Sequence, residues 1–356
     1  MSLPFTTEKQ LAIAAVRRAC HLTSSVFNKL VKNETLTKGD KSPVTVGDYA
    51  AQALISSMLN HAYPQDPIVG EEDATELRAE SGSTLRERIV ELTNEALTLD
   101  LQQGDYAEWG IGPGKAKTPE QLMDEIDRGN YGGGRTGRMW CIDPIDGTKG
   151  FLRGEQYAVC LALLVDAQVQ VGVIGCPNLP ADLSQPEGQK GCLFVAVRGQ
   201  GAQQMSLMGA NPTPLSMPPY DPSTFNFLES VEAAHTSHST NDKISTLLEI
   251  TRKPIRMDSQ AKYGCLARGD AGAYMRMPAG VGYQEKIWDH APGSLLVEES
   301  GGIVTDSRGT PLDFGLGRTL GVNHGVIATV KSAHSRLIDA VAKALSNEEG
   351  DTKSKA

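Results

Sequence analysis

One stretch organises this chain: Arg138-Met139-Trp140-Cys141-Ile142-Asp143-Pro144-Ile145-Asp146-Gly147-Thr148-Lys149-Gly150. Its apolar opening predicts a short buried strand, which should break at Asp143-Pro144 because a residue before proline is pushed out of the helical region. Two carboxylates, Asp143 and Asp146, then fall on an irregular turn, where Gly147 permits backbone angles that other residues avoid. Thr148 is placed to open a helix, whose free backbone N–H groups favour an anion.

The chemistry of this stretch suits a cation and a phosphate side by side. Carboxylates attract a hard cation, backbone amides attract a phosphate, and Mg²⁺ commonly joins a protein carboxylate to a substrate phosphate. The alternative is a surface turn after a strand, since Asp-Pro and Asp-Gly are ordinary turn pairs. The two carboxylates together favour the functional interpretation over the turn.

Length and composition bound the class of protein. The 356 residues suggest about two domains, and 40% hydrophobic residues can bury a sizeable core. A net charge of −9 argues against a nucleic-acid polymer or an anionic membrane as partner, although it permits a local basic pocket. Residues 1–10 lack the layout of a signal peptide, and no apolar run is long enough to span a bilayer. We therefore expect a cytoplasmic protein. We also expect a monomer that acts on a small molecule, which composition alone does not establish.

The cysteines also indicate a reducing compartment. They are scattered, lack CxxC spacing and mostly lie inside apolar runs: Cys20, Cys141, Cys160, Cys176, Cys192 and Cys265. Buried free thiols are therefore expected rather than disulfides or a zinc site.

The chain outside the central stretch predicts alternating helices and strands. Apolar residues at helical spacing predict a long helix over 5–32 and a second helix over 49–62, with Asp48 at its start. A strand from Pro67 should stop at Glu71-Glu72. Asp166-Ala167 separates two β-rich runs and predicts a hairpin.

A proline cluster over 211–222 is the best candidate for a domain junction. We predict an N-terminal domain over 1–222 and a C-terminal domain over 223–346. The charged tail over 347–356 is expected to be disordered.

Four acidic positions share one setting, at the end of an apolar run or the start of a helix: Asp48, Glu71-Glu72, Asp143 with Asp146, and Asp289. Such ends gather at one face of layered α/β structures, where ligands commonly bind. Carboxylates that meet in one pocket repel unless cations neutralise them, so the pattern supports a site with two or more divalent metals for phosphoryl chemistry. Taken singly, Asp48 would be a helix cap and the glutamate pair would face solvent.

Three motifs resemble those of the lithium-sensitive, magnesium-dependent phosphatase superfamily, which includes inositol monophosphatase, inositol polyphosphate 1-phosphatase and fructose 1,6-bisphosphatase. The motifs are Gly70-Glu71-Glu72, Asp143-Pro144-Ile145-Asp146-Gly147-Thr148 and Trp288-Asp289-His290-Ala291-Pro292-Gly293. The chain is more similar to the bisphosphate nucleotidase branch of fungi and plants, through residues 44–52, 140–157, 258–263 and 283–289. The resemblance is weakest over 73–129 and 179–225.

The resemblance implies a role for each matched residue. The metal ligands, for two or three Mg²⁺ ions, would be the side chains of Glu71, Asp143, Asp146 and Asp289 and the backbone carbonyl of Ile145. Asp48 and Thr148 would orient and deprotonate the attacking water, the carboxylate holding the proton of the threonine. The nucleotide contacts would be Thr148, His235, Ser259, Lys262, Arg276 and Asp289.

Some of these assignments have alternatives in the sequence. His235 and His238 lie on one polar turn, and His235 is preferred as the first histidine after Val231-Glu232. Lys262 and Arg276 are permanent donors that suit a second phosphate. Without the resemblance they would be assigned as a solvated helix lysine and an edge-strand arginine.

The resemblance implies an α/β fold, a layered αβαβα sandwich of two domains with the active site between them. The N-terminal α+β domain would carry most metal ligands, and the C-terminal αβα domain would carry nucleotide contacts. The implied activity is removal of the 3′-phosphate of adenosine 3′,5′-bisphosphate to give AMP, with the sulfated nucleotide as a further substrate, and inhibition by Li⁺ and more weakly by Na⁺. One alternative, an inositol polyphosphate 1-phosphatase, is disfavoured by the 258–263 segment. Another, a nucleotide or cation sensor without turnover, is disfavoured because Asp48, Thr148 and every metal carboxylate are present.

Overall fold

The computed structural model describes residues 3–30, 35–37, 43–101, 115–207, 212–232, 238–277 and 284–353. The helices in this part of the chain are α1 (Thr6–Leu30), α2 (Val46–Ala62), α3 (Thr75–Arg78), α4 (Ser83–Thr98), α5 (Pro119–Asp127), α6 (Thr148–Arg153), α7 (His238–Leu247), α8 (Ala261–Arg268), α9 (Ala291–Glu299) and α10 (Lys331–Lys353). The strands are β1 (Thr35–Thr37), β2 (Pro43–Thr45), β3 (Ile68–Gly70), β4 (Arg138–Asp146), β5 (Ala158–Val165), β6 (Gln168–Pro180), β7 (Lys190–Val197), β8 (Ala202–Ser206), β9 (Thr213–Pro214), β10 (Phe227–Glu229), β11 (Ile255–Arg256), β12 (Ala273–Arg276), β13 (Gly302–Thr305) and β14 (Val326–Val330).

A seven-stranded sheet forms the centre of the N-terminal half. Its strands follow chain order, β3-β4-β5-β6-β7-β8-β9, with β3 parallel to β4 and the later neighbours antiparallel. Both faces of the sheet are buried. Along β5, for example, Val159 and Leu161 pack on one side with α1 and α2, whereas Cys160 and Ala162 pack on the other side with α8 and α9. This alternation is expected of a strand whose successive side chains point to opposite faces.

The second sheet has five strands in the order β11-β10-β12-β14-β13. Helices α8 and α9 lie between the two sheets. On the outer side, α10 packs against α7, β13 and β14. The layers therefore run helices, sheet, helices, sheet, helices, and the predicted αβαβα sandwich is confirmed.

The change from one sheet to the other falls between residues 214 and 227, within and just after the proline cluster. The predicted boundary after residue 222 lies in this interval, and the division into two domains stays a prediction. The predicted disorder from residue 347 differs from the structure, in which α10 continues to Lys353. Glutamate and lysine are good helix formers, so a charged segment can extend an existing helix.

The segment over 73–129, which the resemblance left without a role, belongs to the core in its described parts. Leu92 of α4 and Leu122 and Ile126 of α5 are buried and pack with α2. The six cysteines are buried free thiols, as predicted. In the described part of the chain, none of the helices has the length and apolar character needed to cross a membrane.

Candidate active site

The carboxylates of the central stretch reach one face because β4 contains a bulge. Residues three apart on a regular strand point to opposite faces. Here Asp143 pairs with Cys160 while Asp146 pairs with Ala158, so β4 uses one residue more than β5 over this interval. The extra residue brings Asp143 and Asp146 onto the face that looks towards α8 and α9. The predicted break at Pro144 is therefore wrong, because the strand continues to Asp146 through a bulge that tolerates proline.

The turn after β4 places Thr148 at the cavity wall. Gly147 has φ of 86° and precedes α6, which Thr148 opens as predicted. A side chain at Gly147 would also press on Ser259, whose Cβ would lie 3.1 Å from the added carbon. The Thr148 hydroxyl donates to the Ile145 carbonyl oxygen at 3.2 Å.

A cavity of about 290 Å³ collects most of the predicted site residues. Its lining includes Glu71, Asp143, Ile145, Asp146, Thr148, Ser259, Lys262, Arg276 and Asp289. These residues come from both sheets and from the helices between them, so the cavity lies between the two halves of the chain. His235 lies outside the described residues. His238 bonds the carbonyl oxygen of Ser230 through Nε2 at 3.0 Å, and Ser230 lines the cavity.

Asp48 lies behind this cavity rather than in its lining. It is the third residue of α2, inside the first turn rather than at the capping position, and is only 2% exposed. Its charge is among those that raise the pKa of Asp143. Helix α6 packs on β2, and α2 begins directly after β2, so the elements that carry Thr148 and Asp48 are neighbours.

The carboxylates of the cavity disfavour one another's charge. Burial raises the pKa of Asp143 well above its ordinary value, and the charges of Glu71, Asp146 and Asp289 raise it further. Burial and Asp289 raise the pKa of Asp146 to about 7, although Lys262 and Arg276 oppose this. Burial also raises the pKa of Asp289. A cluster of this kind gains most from a multivalent cation.

A buried oxygen of Asp143 also indicates that these carboxylates can bind a hard cation. Asp143 is 2% exposed, and its Oδ1 is buried without a hydrogen-bond partner among the described residues. A buried carboxylate oxygen normally has a donor or a metal. Glu71, Asp143, Asp146 and Asp289 supply only oxygen atoms, the ligands that Mg²⁺ prefers.

These raised pKa values predict how pH affects the metal-free protein. An unfolded aspartate titrates near pH 4, so between about pH 4 and 7 the unfolded state loses its protons first and the stability falls as pH rises. Asp146→Asn removes one such group and should stabilise the metal-free protein at pH 7, by on the order of 1–3 kcal/mol. Urea unfolding in a chelator at pH 5 and pH 7 measures both effects. Identical pH dependence in the wild type and the variant would contradict the prediction.

Lys262 is held at the floor of the cavity by backbone carbonyls. It is 3% exposed, and its Nζ donates to the carbonyl oxygens of Met257 at 3.0 Å and Ser259 at 2.8 Å. Ser259 adopts the left-handed conformation, with φ of 66°, just before α8. Burial lowers the pKa of Lys262 to about 8, while the charge of Asp146 opposes this. An ammonium has three donors, so these contacts leave one for a ligand in the cavity.

Arg276 belongs to a buried network that the sequence did not reveal. Its Nε donates to Glu285 at 2.9 Å, and its Nη2 lies 3.7 Å from Asp289 Oδ2. Burial alone would raise the pKa of Glu285, but Arg276 and His290 bring it to about 2. His290 bonds Glu285 at 3.1 Å and the Tyr263 hydroxyl at 2.8 Å. The network fixes the direction of Arg276 beside Asp289.

The tightest group of possible metal-binding atoms in the described residues is Glu285, Asp289 and His290, whose atoms lie within 4.8 Å of one another. Two members of this group, Glu285 and His290, bond each other, and Glu285 also bonds Arg276. The group is therefore explained as a hydrogen-bond network rather than as a cation site. Asp289 alone belongs to both this network and the predicted metal-ligand set.

Sequence reasoning missed two glutamines that support the carboxylates. The backbone N–H of Gln260 donates to Asp146 Oδ2 at 2.5 Å. The Gln260 side chain spans the motif around Asp289, donating to the carbonyl of Trp288 at 2.8 Å and accepting from Gly293 N at 3.1 Å. The fully buried Gln52 binds the backbone of Glu72 in the same way. It donates to the Glu72 carbonyl at 2.6 Å and accepts from the Glu72 N–H at 2.9 Å. Both glutamines lie in segments that carried the resemblance.

Two further cations of the lining were also missed, Lys149 and Lys286. Lys149 Nζ lies 3.5 Å from a carboxylate oxygen of Glu232, which lines the cavity too. Lys286 Nζ lies 5.9 Å from the centre of the Trp288 ring. Their positions follow from side-chain direction at the cavity mouth, which no motif in the sequence specifies.

The fold and the site define the class of protein. The model of the inositol monophosphatase family matches residues 6–346, and the chain belongs to this family. Solved structures agree on the fold. A Thermotoga maritima IMPase superposes with a TM-score of 0.60 at 18% identity, covering 94% of this chain and 97% of that one. The CysQ protein of Bacteroides thetaiotaomicron superposes with a TM-score of 0.57 at 21% identity, covering 93% and 99%.

More similar sequences lie within one branch of the family. The 3′(2′),5′-bisphosphate nucleotidase of Schizosaccharomyces pombe is 50% identical over 354 residues, which cover 97% of this chain and 98% of that protein. Proteins of the same name are 44% identical in Emericella nidulans, over 96% of this chain and 99% of the relative, and 42% identical in Oryza sativa, over 97% and 96%. The predicted superfamily and the predicted enzyme class, a phosphatase, are confirmed.

Proposed function

We propose that this chain hydrolyses the 3′-phosphate of adenosine 3′,5′-bisphosphate to give AMP, and acts in the same way on the sulfated nucleotide. The observation that carries this proposal is a single cavity lined by both a carboxylate cluster and buried cations. The carboxylates can bind the 3′-phosphate, which is removed, through metal cations. Lys262 and Arg276 can bind the 5′-phosphate, which stays on the nucleotide. The names of the relatives in S. pombe, E. nidulans and rice support the same substrate.

The proposed ligands of two or three Mg²⁺ ions are Glu71, Asp143, Asp146, Asp289 and the carbonyl oxygen of Ile145. When bound, such ions activate water and stabilise the leaving oxygen. The four carboxylates line the cavity without closing around a single point, which favours shared binding of several ions over one. Asp143 and Asp146 lie on the same face of β4 and can contribute to neighbouring ions.

The proposed base is the pair of Thr148 and Asp48. Thr148 lines the cavity and can contact a water there, whereas the buried Asp48 cannot. A threonine hydroxyl accepts a proton poorly unless its own proton is held elsewhere. We propose that the hydroxyl, which donates to Ile145 in this structure, donates to Asp48 when substrate is bound. Its lone pair then faces the water.

Phosphate release with Mg²⁺ from three substrates in parallel tests the function: adenosine 3′,5′-bisphosphate, inositol 1,4-bisphosphate and fructose 1,6-bisphosphate. The proposal expects the highest kcat/KM for the nucleotide. Preference for inositol 1,4-bisphosphate would instead identify an inositol polyphosphate 1-phosphatase. Nucleotide binding without release would identify a sensor. The predicted monomeric state and cytoplasmic location stay predictions, which size-exclusion chromatography and cell fractionation test.

Lys262→Met is expected to weaken binding of adenosine 3′,5′-bisphosphate by about 1.5–3 kcal/mol, the range for a charged hydrogen bond. Methionine keeps the apolar stem but removes the donor that faces the cavity. Adenosine 3′-monophosphate has no second phosphate, so its KM should change much less. Steady-state kinetics on both nucleotides measures the difference. Equal losses on the two substrates would mean that Lys262 only supports the 257–259 turn.

Lithium salts are expected to inhibit the enzyme. Li⁺ resembles Mg²⁺ in size and prefers oxygen ligands, but its single charge stabilises a leaving oxygen less well. Inhibition should be mainly uncompetitive towards nucleotide and should weaken with excess Mg²⁺. Sodium, being larger, should act more weakly, and potassium should do little. The measurement is a titration of each chloride at constant ionic strength. Equal effects of lithium and potassium would mean that the inhibition is only charge screening by salt.

A further inference from the structure

Arg318 joins the two halves of the chain beside the cavity. It lies in the irregular segment between β13 and β14, and its guanidinium reaches three backbone carbonyls of the N-terminal half. Nη1 donates to Gly129 O at 2.7 Å and to Tyr131 O at 3.2 Å, and Nη2 donates to Gly70 O. Gly70 ends β3 and directly precedes Glu71.

The same residue also holds the segment that carries Asp289. The guanidinium carbon of Arg318 lies 4.8 Å from the centre of the Trp288 ring, a distance at which a cation and an indole attract. The backbone carbonyl of Arg318 accepts a hydrogen bond from Ile287 N at 3.2 Å. Arg318 therefore contacts the residue before Glu71 and the residue before Asp289.

The backbone next to Glu71 is also held from within the N-terminal half. Gln52 bonds both backbone polar groups of Glu72, and a side chain at Gly70 would lie 2.7 Å from the Gln52 amide oxygen. These contacts fix the backbone on one side of Glu71 relative to α2. Among the described contacts of Gly70, the bond to Arg318 is the one that comes from the C-terminal half.

We propose that Arg318 is a positioning residue that sets the Glu71 carboxylate opposite Asp289 and so raises the affinity of the site for divalent cations. This inference rests on the proposed function. A planar guanidinium can serve several carbonyls and an aromatic face at once, whereas the ammonium of lysine is a point charge without that fork. Arg318 also attracts the Glu71 carboxylate. Its described hydrogen bonds go to backbone carbonyls, so the positioning acts through the two backbone segments.

The test compares Arg318→Met with Arg135→Met. Methionine at 318 keeps an apolar stem over Trp288 and removes all three hydrogen bonds to the backbone carbonyls. Arg135 also joins the two halves of the chain, through a pair with Asp313 at 2.5 Å, but it is 59% exposed and has no described contact with Gly70 or Trp288. Binding of Mg²⁺ alone is measured by calorimetry on the full chain. We expect the Kd to rise about tenfold in Arg318→Met and to change less than twofold in Arg135→Met.

Activity separates a positioning role from a merely structural one. In Arg318→Met the Mg²⁺ concentration for half-maximal phosphate release should rise with the calorimetric Kd, and excess Mg²⁺ should restore most of kcat. A change below twofold in both quantities, or equal changes in the two variants, would overturn the proposal. If Arg318→Met does not fold, Arg318→Lys is measured instead. We expect its Kd for Mg²⁺ to rise about threefold, and an unchanged Kd would overturn the proposal. Calorimetry does not depend on substrate, so failure of wild-type phosphate release would count against the proposed function alone.

Discussion

Asp146→Asn is expected to lower the kcat of Mg²⁺-dependent phosphate release by at least about 10³-fold, the upper range for removing one preorganised charge-stabilising group. Asparagine keeps the shape of the side chain and can still accept the hydrogen bond from Gln260 N. It supplies neither the negative charge nor the second anionic oxygen that a cation needs. Steady-state kinetics at saturating Mg²⁺ measures the loss.

A matched control for this prediction is Asp270→Asn. Burial raises the pKa of Asp270 as it does that of Asp146, but Asp270 pairs with Arg268 and does not line the cavity. Its kcat should stay within about twofold of wild type. A measured stability gain in metal-free Asp146→Asn would exclude unfolding as the cause of its lost activity. A kcat within tenfold of wild type for Asp146→Asn would rule out the metal-binding role.

Asp48→Asn is expected to lower kcat by roughly 10²-fold or more, the usual scale for a general base. Nucleotide affinity should be nearly unchanged, because Asp48 does not line the cavity. Rapid-quench measurement of the chemical step, with equilibrium binding of the nucleotide to the variant, separates the two quantities. If only KM rises, Asp48 is a structural residue in the first turn of α2 and the proposed base is wrong.

Features set by local chemistry were predictable from the sequence. The hairpin at Asp166-Ala167 follows from turn residues between two β-rich runs, and both residues have positive φ, as a tight two-residue turn requires. Gly147 takes the left-handed conformation before α6 for the same local reason. Spacing alone also suggested that the acidic positions at the ends of apolar runs and the starts of helices meet. Glu71, Asp143, Asp146 and Asp289 do line one cavity, whereas Asp48 and Glu72 are not in its lining.

Features set by pairing across the fold were not predictable. Asp143-Pro144 looks like the end of a strand, but hydrogen bonding to β5 carries β4 through a bulge to Asp146. Lys262, without the resemblance, is an ordinary helix lysine, yet the fold buries it on two carbonyls. Arg318 reaches Gly70 across a separation of 248 residues. Such contacts depend on how the sheets and loops pack, which no local pattern encodes.

The proposed reaction is removal of the 3′-phosphate of adenosine 3′,5′-bisphosphate by attack of water on phosphorus. The most direct measurement is ³¹P NMR of the reaction with Mg²⁺ in ¹⁸O-labelled water. We expect AMP to keep its 5′-phosphate without label, and the released phosphate to carry one solvent oxygen. Release of adenosine 3′-monophosphate, or appearance of the label in the nucleoside, would contradict it.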